Sequence, residues 1–327
     1  MARIEPSLIT VFGGSGFVGT RIVQHLAKHG HRIRVAVRRP DLAGAVRMFG
    51  SVGQVMPIQA NVRNLASVRR AVKDAGIVIN LTGIGHARGA QTFQAIHIDG
   101  AGNVATASRE AGVGSLVHMS ALGVDRATDV SEYAESKLLG EEAVFKAFPN
   151  AIVMRPSILF GPGDGFFNLM GGLARMLPVL PLIGGDTRFQ PAYVGDVAEA
   201  FALAAEGAVK TGRIYELGGP QIETYRQLME RVQREAGRNR PMLPVSSGIA
   251  KLMALPLSVL PSPLLTGDQV ELLGVDNVVS EAAIKEKRTF AAFGITPTAM
   301  DKILPEYMYR YRKHGQFDRD NAPAPIL

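Results

Sequence analysis

Tyr133-Ala-Glu-Ser-Lys137 places a phenol and an ammonium four residues apart, on one face of a helix. A free tyrosine ionises only near pH about 10. A neighbouring ammonium favours the phenolate, which makes Tyr133 a usable acid or base near neutral pH. Ser120 ends a predicted strand and is placed to hydrogen-bond a carbonyl group. The candidate catalytic residues are therefore Ser120, Tyr133 and Lys137. A tyrosine–lysine pair on a helix is common by chance. The order of a glycine turn, a strand-end serine and then Y-x-x-x-K is much less so.

That glycine turn lies early in the chain. Gly13, Gly16 and Gly19 fit G-x-x-G-x-x-G, and Gly14, Gly16 and Gly19 fit G-x-G-x-x-G. Either way the glycines allow a tight turn, a close backbone approach to a pyrophosphate and a helix N-terminus aimed at it. The pattern follows a predicted strand and opens a predicted helix, which is the context a dinucleotide site requires. The candidate cofactor contacts here are Gly13, Gly14, Ser15, Gly16, Phe17, Val18 and Gly19. The second strand ends at Val37, and Arg38 and Arg39 follow. An acidic residue at that point would accept from a ribose 2′-hydroxyl and repel a 2′-phosphate. Two guanidiniums instead fork onto phosphate oxygens, so NADP(H) is favoured over NAD(H). Asp41 lies beyond Pro40, off the strand tip. The competing reading is that both arginines solvate a surface loop. Asn61 and Val62 after the third strand, and Thr82 and Gly83 after the fourth, flank the adenine and the middle of the cofactor. Lys137 is placed to donate to the nicotinamide ribose.

The elements that position these residues read from the apolar pattern. Strands are predicted at Leu8–Phe12, Arg32–Val37, Val55–Gln59, Ile77–Leu81, Ser115–Ser120 and Ala151–Arg155. Helices are predicted after the glycine turn and at Leu65–Lys73, Thr92–Ala111 and Ser131–Phe148. Short apolar strands alternating with helices give an α/β fold, a Rossmann-type doubly wound parallel sheet whose crevice lies at the carboxyl ends of the strands. After Pro156 glycine and proline punctuate the chain, leaving Val194–Ala205, Arg213–Leu217, Thr224–Ala236 and Ala299–Lys313 as regular elements. We therefore divide the chain into a dinucleotide-binding domain, 1–156, a smaller mixed lobe, 157–320, with segments returning to the sheet, and a disordered tail, 321–327.

Of 327 residues, 46% are hydrophobic and 20% charged, which excludes bulk disorder. No cysteine is present, so disulfides, Cys-ligated zinc, iron–sulfur clusters and cysteine nucleophiles are excluded. The net charge of +7 lies wholly in the first eighty residues, which hold 12 basic residues against 3 acidic. That excess surrounds the glycine turn and has no aromatic interleaving, so a phosphorylated dinucleotide is favoured and nucleic acid is not. The histidines form no ligand-like cluster, and no metal is predicted. The apolar segment Ile249–Leu265 contains Lys251 and three prolines, too interrupted for a spanning helix. It reads as a core-packing helix and loop, with a partner or membrane-surface contact as the alternative. The tyrosines and basic residues of Tyr307–Lys313 read as amphipathic packing with a charged last turn, with a contact to lipid headgroups as the alternative. His86 and Arg88, after the fourth strand, read as loop-capping residues, with the lining of a substrate or quinone-like site as the alternative.

With these motifs the chain resembles the short-chain dehydrogenase/reductase superfamily, in its extended and atypical branches. Arg155–Pro162 (RPSILFGP), Tyr193–Ala198 (YVGDVA) and Tyr215–Gly219 (YELGG) are similar to further motifs of extended members. The resemblance covers roughly the first 235 residues and also assigns Pro156 to the cofactor site. A narrower resemblance is to the family of alpha-subcomplex subunit nine, an accessory subunit of respiratory complex I. It is carried by Val11–Thr20 (VFGGSGFVGT), Val117–Ser120 (VHMS), Tyr133–Glu142 (YAESKLLGEE), Ala147–Ser157 (AFPNAIVMRPS), Phe160-Gly161 and Gln190–Val197 (QPAYVGDV). That family implies a bound NADPH that is held and not turned over, and a place among complex I subunits where the hydrophilic and membrane arms join. Extended members usually carry an asparagine where this chain has His97, which we read as an ordinary helix-face histidine.

The resulting expectation is an NADP(H)-binding, non-catalytic accessory or assembly subunit of a bacterial NADH:ubiquinone oxidoreductase. The alternatives are an active NADPH-dependent reductase or epimerase using Ser120, Tyr133 and Lys137, and an NADP(H)-sensing regulator, against which the retained Tyr133 and Lys137 argue. The stretch Met1-Ala-Arg-Ile-Glu-Pro shows no signal-peptide pattern. The expected location is cytoplasmic, with a peripheral position on the cytoplasmic side of the inner membrane.

Overall fold

The structure is a computed structural model, and it describes residues 6–258 and 266–317. The predicted tail, 321–327, lies outside the described residues, as do 259–265 of the apolar segment. Contacts within the chain group it into two compact units. The first holds the residues up to Pro156 with Val194–Leu217 and Val279–Thr296; the second holds Ser157–Tyr193, Gly218–Val278 and the residues from Pro297.

Runs of β-branched and aliphatic residues build the sheet of the first unit. Its strands are β1 (Leu8–Phe12), β2 (Arg32–Val37), β3 (Val55–Gln59), β4 (Ile77–Asn80), β5 (Ser115–Met119) and β6 (Ile152–Pro156), joined by a seventh, Arg213–Leu217. The order is seventh-β6-β5-β4-β1-β2-β3. Every pairing is parallel. Ile9, Val11, Val78, Ile79 and Val117 are wholly buried, as expected where helices cover both faces of a sheet. The chain reverses direction across the sheet between β1 and β4. In open α/β sheets such a switch point is where the ligand crevice lies, outside the strands' carboxyl ends.

The helices α1 (Phe17–Lys28), α2 (Leu65–Val72), α3 (Asp99–Glu110) and α4 (Glu132–Ala147) follow β1, β3, β4 and β5. In α1, Ile22, Val23 and Leu26 form the buried stripe. Asn64 caps α2, its side chain accepting from the Ser67 N–H at 2.9 Å. Ser131 caps α4 by accepting from the Ala134 N–H at 3.2 Å.

The predicted helix Thr92–Ala111 departs from a regular α-helix. Its start is a single π-helical turn, Gln94–Ile98, closed by the Asp99 N–H on the Gln94 carbonyl. A methyl group at Gly140 of α4 would lie 2.2 Å from the His97 carbonyl oxygen. The glycine thus lets the backbone of α4 approach that turn.

The second unit packs Phe160, Phe167, Leu228, Met229 and Tyr307 into its own core. The predicted continuous helix Ala299–Lys313 is instead broken into Met300–Ile303, Pro305–Met308 and a short turn, Tyr309–Tyr311. Pro305 has no N–H to continue a helix and starts a new one. Tyr307, 1% exposed, donates its hydroxyl to Asp164. Asp164 in turn accepts from the Phe167 N–H at 2.7 Å, at the start of the helix Phe166–Met176. Tyr311 donates to Asn168 at 2.8 Å. The tyrosines at 307 and 311 therefore pack the C-terminal turns inside this unit.

Ser247–Ser258 is helical. Ala250 is buried there, but Ile249 and Leu252 are 57% and 67% exposed. The expectation of a core-packing segment is thus corrected at these two positions, because the helix turns them to solvent. Among the described residues no helix is long and apolar enough to cross a membrane.

Candidate functional site

Every residue of the predicted site except Pro156 lies on a turn or helix at the carboxyl end of β1 to β5, in the first unit; Pro156 is the last residue of β6. Gly13 has φ +76°, a conformation open to glycine, and its N–H donates to the Ala36 carbonyl at 3.2 Å. Gly16 donates to Gly13 at 3.0 Å. A methyl group at Gly19 would lie 2.4 Å from the Gly13 oxygen, so the first turn of α1 sits directly on the glycine loop. Unlike α2 and α4, α1 receives no side-chain cap and has no acid in its first turn. Its N–H groups at Phe17, Val18 and Gly19 end a helix whose dipole favours an anion.

Arg38 and Arg39 follow β2 and are both exposed. Asp41, predicted to stand clear of this point, folds back onto Arg39 through a forked pair at 2.7 and 3.1 Å. Pro40 opens the ten-residue 3-10 helical stretch Pro40–Phe49, and Asp41 lies in its first turn. Arg38 donates to the side-chain oxygen of Gln91. Asn61 closes the turn after β3 by accepting from the Arg63 N–H at 3.1 Å. Val62 is buried, and its carbonyl accepts from Asn103 at 2.9 Å. Arg88 and Gln91 pair by two backbone hydrogen bonds at 2.9 and 3.0 Å, closing the loop after β4.

The catalytic candidates converge around α4. Ser120 follows β5, and its N–H donates to the Met154 carbonyl at 2.8 Å. Its hydroxyl is buried without a hydrogen-bond partner. Lys137 is 5% exposed and donates to the Met119 carbonyl at 3.0 Å. Burial, only partly offset by Glu141, lowers its pKa to about 8. Gly83 packs beside it, since a methyl group there would meet Lys137 Nζ at 3.4 Å. Tyr133 is held edge-on by His97 and Phe93, with ring centroids 5.5 and 6.0 Å away. Arg155 of β6 grips Glu141 of α4 by two hydrogen bonds at 2.8 Å and reaches Asp125 at 3.0 Å. This buried, forked pair fixes α4 against the sheet.

His97 is not an ordinary helix-face residue. It is 2% exposed, its Nε2 accepts from the Ile84 N–H at 3.0 Å, and its Nδ1 lies 2.9 Å from Ser136 Oγ. Ser136 donates to the Tyr133 carbonyl at 2.8 Å. The proton therefore sits on His97 Nδ1 and points at Ser136. Burial, with Lys137 adding to it, lowers the His97 pKa to about 3, so the ring is neutral.

Sequence reasoning missed a second buried imidazole. Asn80 accepts from the Thr82 N–H at 3.2 Å and from its hydroxyl at 2.5 Å. Its amide nitrogen must then donate to His118 Nδ1, 3.1 Å away. The His118 proton lies on Nε2, which is buried without a partner. Burial and the Lys137 charge lower its pKa to about 3. One signal was available: His118 and Ser120 stand two apart in the predicted strand Ser115–Ser120, which puts them on one face.

These features fit a dinucleotide. The glycine loop allows close backbone approach, α1 offers an uncapped N-terminus, and Ser120 presents an unsatisfied hydroxyl. Arg38 and Arg39 follow β2, Asn61 and Val62 follow β3, Thr82 and Gly83 follow β4, Lys137 lies on α4 and Pro156 ends β6. Among the described residues no group of three acidic or histidine side chains could hold a metal ion.

Comparison with known proteins agrees with this geometry. Residues 9–218 match the model of the NAD dependent epimerase/dehydratase family. The NADH dehydrogenase [ubiquinone] 1 alpha subcomplex subunit 9 of Arabidopsis thaliana is 34% identical over 96% of this chain and 80% of that protein. The NADH-ubiquinone oxidoreductase 40 kDa subunit of Neurospora crassa is 28% identical over 94% of this chain and 80% of its own length. An NADPH-dependent quinone oxidoreductase of Escherichia coli, crystallised with NADPH, superimposes with a TM-score of 0.70 at 21% identity, over 91% of this chain and 97% of that one. The last likeness concerns the fold alone. By the first two matches, the chain belongs to the NAD dependent epimerase/dehydratase family, and within it to the group of the alpha subcomplex subunit 9 proteins.

Proposed function

We propose that this protein is an NADP(H)-binding accessory or assembly subunit of an NADH:ubiquinone oxidoreductase, holding its cofactor as a structural ligand. The observation that carries the reading is the 34% identity to an alpha subcomplex subunit 9 protein across 96% of the chain. The preference for NADP(H) rests on Arg38 and Arg39, with no carboxylate ending β2 to engage a ribose 2′-hydroxyl. Gly13–Gly19 would hold the pyrophosphate, and Lys137 the nicotinamide ribose. The exposed Ile249 and Leu252 support a contact with a neighbouring subunit or a membrane surface, and with it a peripheral location. The junction of the hydrophilic and membrane arms is the proposed position.

The test is gentle purification from the native host, followed by identification of the retained nucleotide and of co-purifying proteins. NADPH together with oxidoreductase subunits is the expected result. A protein that travels alone and oxidises NADPH rapidly with a carbonyl substrate would overturn the reading.

One observation favours a second reading, an active reductase or epimerase. Ser120, Tyr133 and Lys137 are all retained, and the Ser120 hydroxyl is buried and unpartnered. When bound, the nicotinamide would supply or accept a hydride. Tyr133 would hold or release the substrate proton, and Ser120 would orient the carbonyl. Tyr133→Phe separates the readings. A held cofactor predicts that bound NADPH and assembly with the oxidoreductase are unchanged, and the catalytic reading predicts that NADPH-dependent turnover is lost.

A further inference from the structure

Two arginines follow β2, and their surroundings differ in one respect that bears on the charge each can offer. Arg39 is engaged by the Asp41 carboxylate through both nitrogens of its fork, at 2.7 and 3.1 Å. That exposed carboxylate occupies two of its N–H groups. Arg38 makes no ion pair among the described residues, and its partner is the neutral side-chain amide oxygen of Gln91. A neutral acceptor orients a guanidinium without cancelling its charge. One of the five N–H groups is taken, and the others stay available to fork onto a phosphate.

Gln91 is itself held in place. Its backbone pairs with Arg88 by hydrogen bonds of 2.9 and 3.0 Å. The turn between them passes through Gly89 at φ +54°. The adjoining Ala90 carbonyl accepts from Arg63 at 2.8 Å. The loop after β4 is thus tied to the turn after β3, and it presents the Gln91 amide at the tip of β2.

We propose that Gln91 is a positioning residue for cofactor specificity, holding Arg38 toward the 2′-phosphate of NADP(H), with Arg39 contributing less because Asp41 occupies it. The inference rests on the NADP(H) reading above and names the residue that sets it. Gln91 acts only through Arg38, so it affects the phosphorylated cofactor and leaves the unphosphorylated one alone.

The test is fluorescence titration of the full chain with NADPH and with NADH. Gln91→Leu removes the acceptor at a partly exposed position and is compatible with folding. It is expected to weaken NADPH about fivefold to tenfold, the worth of one net hydrogen bond, and to leave NADH within about twofold. Gln91→Glu keeps an acceptor but adds a charge that binds Arg38 and repels the phosphate, so NADPH weakens further, by at least about thirtyfold. In an Arg38→Leu background, Gln91→Leu is expected to add less than about a further twofold loss. Equal losses for both cofactors, or fully additive losses in the double variant, would overturn the assignment. A wild-type protein that binds NADPH and NADH equally overturns the NADP(H) reading and this inference together. A wild type that prefers NADPH, with a Gln91→Leu variant that keeps the same ratio, overturns this inference alone.

Discussion

Replacing Lys137 with methionine separates what the ammonium costs the fold from what it gives the site. Lys137 is 5% exposed, and its Nζ donates to the Met119 carbonyl at 3.0 Å. Burial outweighs the attraction of Glu141 and brings the pKa from its ordinary 10.5 to about 8. The unfolded chain therefore holds this proton more tightly than the folded one. The charged form opposes folding at every pH below about 8, and the opposition fades as pH rises toward 10.5. The difference is worth about 3 kcal/mol. Methionine has nearly the same length and no charge, but it gives up a hydrogen bond worth about 1 kcal/mol. The cofactor-free Lys137→Met protein is thus expected to be more stable than wild type by about 1–2 kcal/mol at pH 7. Near pH 9.3, midway between the two pKa values, about half of the 3 kcal/mol is already recovered by wild type, and the advantage shrinks toward zero. Urea unfolding of both proteins without cofactor, at pH 7 and pH 9.3, measures this directly. With Lys137 in its proposed role at the nicotinamide ribose, the same variant is expected to bind NADPH more weakly. A variant less stable at pH 7, or a stability difference that does not move between the two pH values, would refute the argument that burial of this charge opposes folding.

Gly19→Ala places a methyl group 2.4 Å from the Gly13 oxygen and 2.6 Å from Gly14 Cα, so the glycine loop must open. Dinucleotide affinity is expected to fall at least about tenfold and stability by about 1–3 kcal/mol, read by titration and thermal unfolding. Arg155→Met leaves Glu141, 2% exposed, without its forked partner and is expected to cost about 3–5 kcal/mol in urea unfolding. The double variant Arg155→Met, Glu141→Gln should recover part of that loss. Tyr307→Phe removes the hydroxyl that donates to buried Asp164, whose carboxyl pKa burial already raises. It is expected to cost about 1–3 kcal/mol near pH 7. The variant's carboxyl pKa rises further, so the loss should diminish as acid protonates Asp164.

What could be read along the chain, and what could not, divides by the kind of spacing involved. Tyr133 and Lys137 share a helical face, and Gly13, Gly16 and Gly19 lie within one turn-and-helix unit, so local periodicity was enough to bring each set together. The parallel sheet follows from the same logic, because strands buried on both faces must be apolar throughout. The partners of the buried polar groups obey no such rule. His97 meets Ser136 across 39 positions, Asn80 meets His118 across 38, and Arg38 meets Gln91 across 53. Each pairing depends on register between separate elements, which propensity does not encode. The π-helical turn at Gln94–Ile98 is a sharper case. A regular helix was the reasonable reading, yet the wider turn and Gly140 together bring the His97 backbone against α4. His97 then reads as a neutral splint between Ile84 and Ser136, because both ring nitrogens are engaged and burial beside Lys137 keeps it uncharged. So held, the imidazole is neutral near pH 7, with its Nε2 lone pair on the Ile84 N–H and its Nδ1 proton toward Ser136.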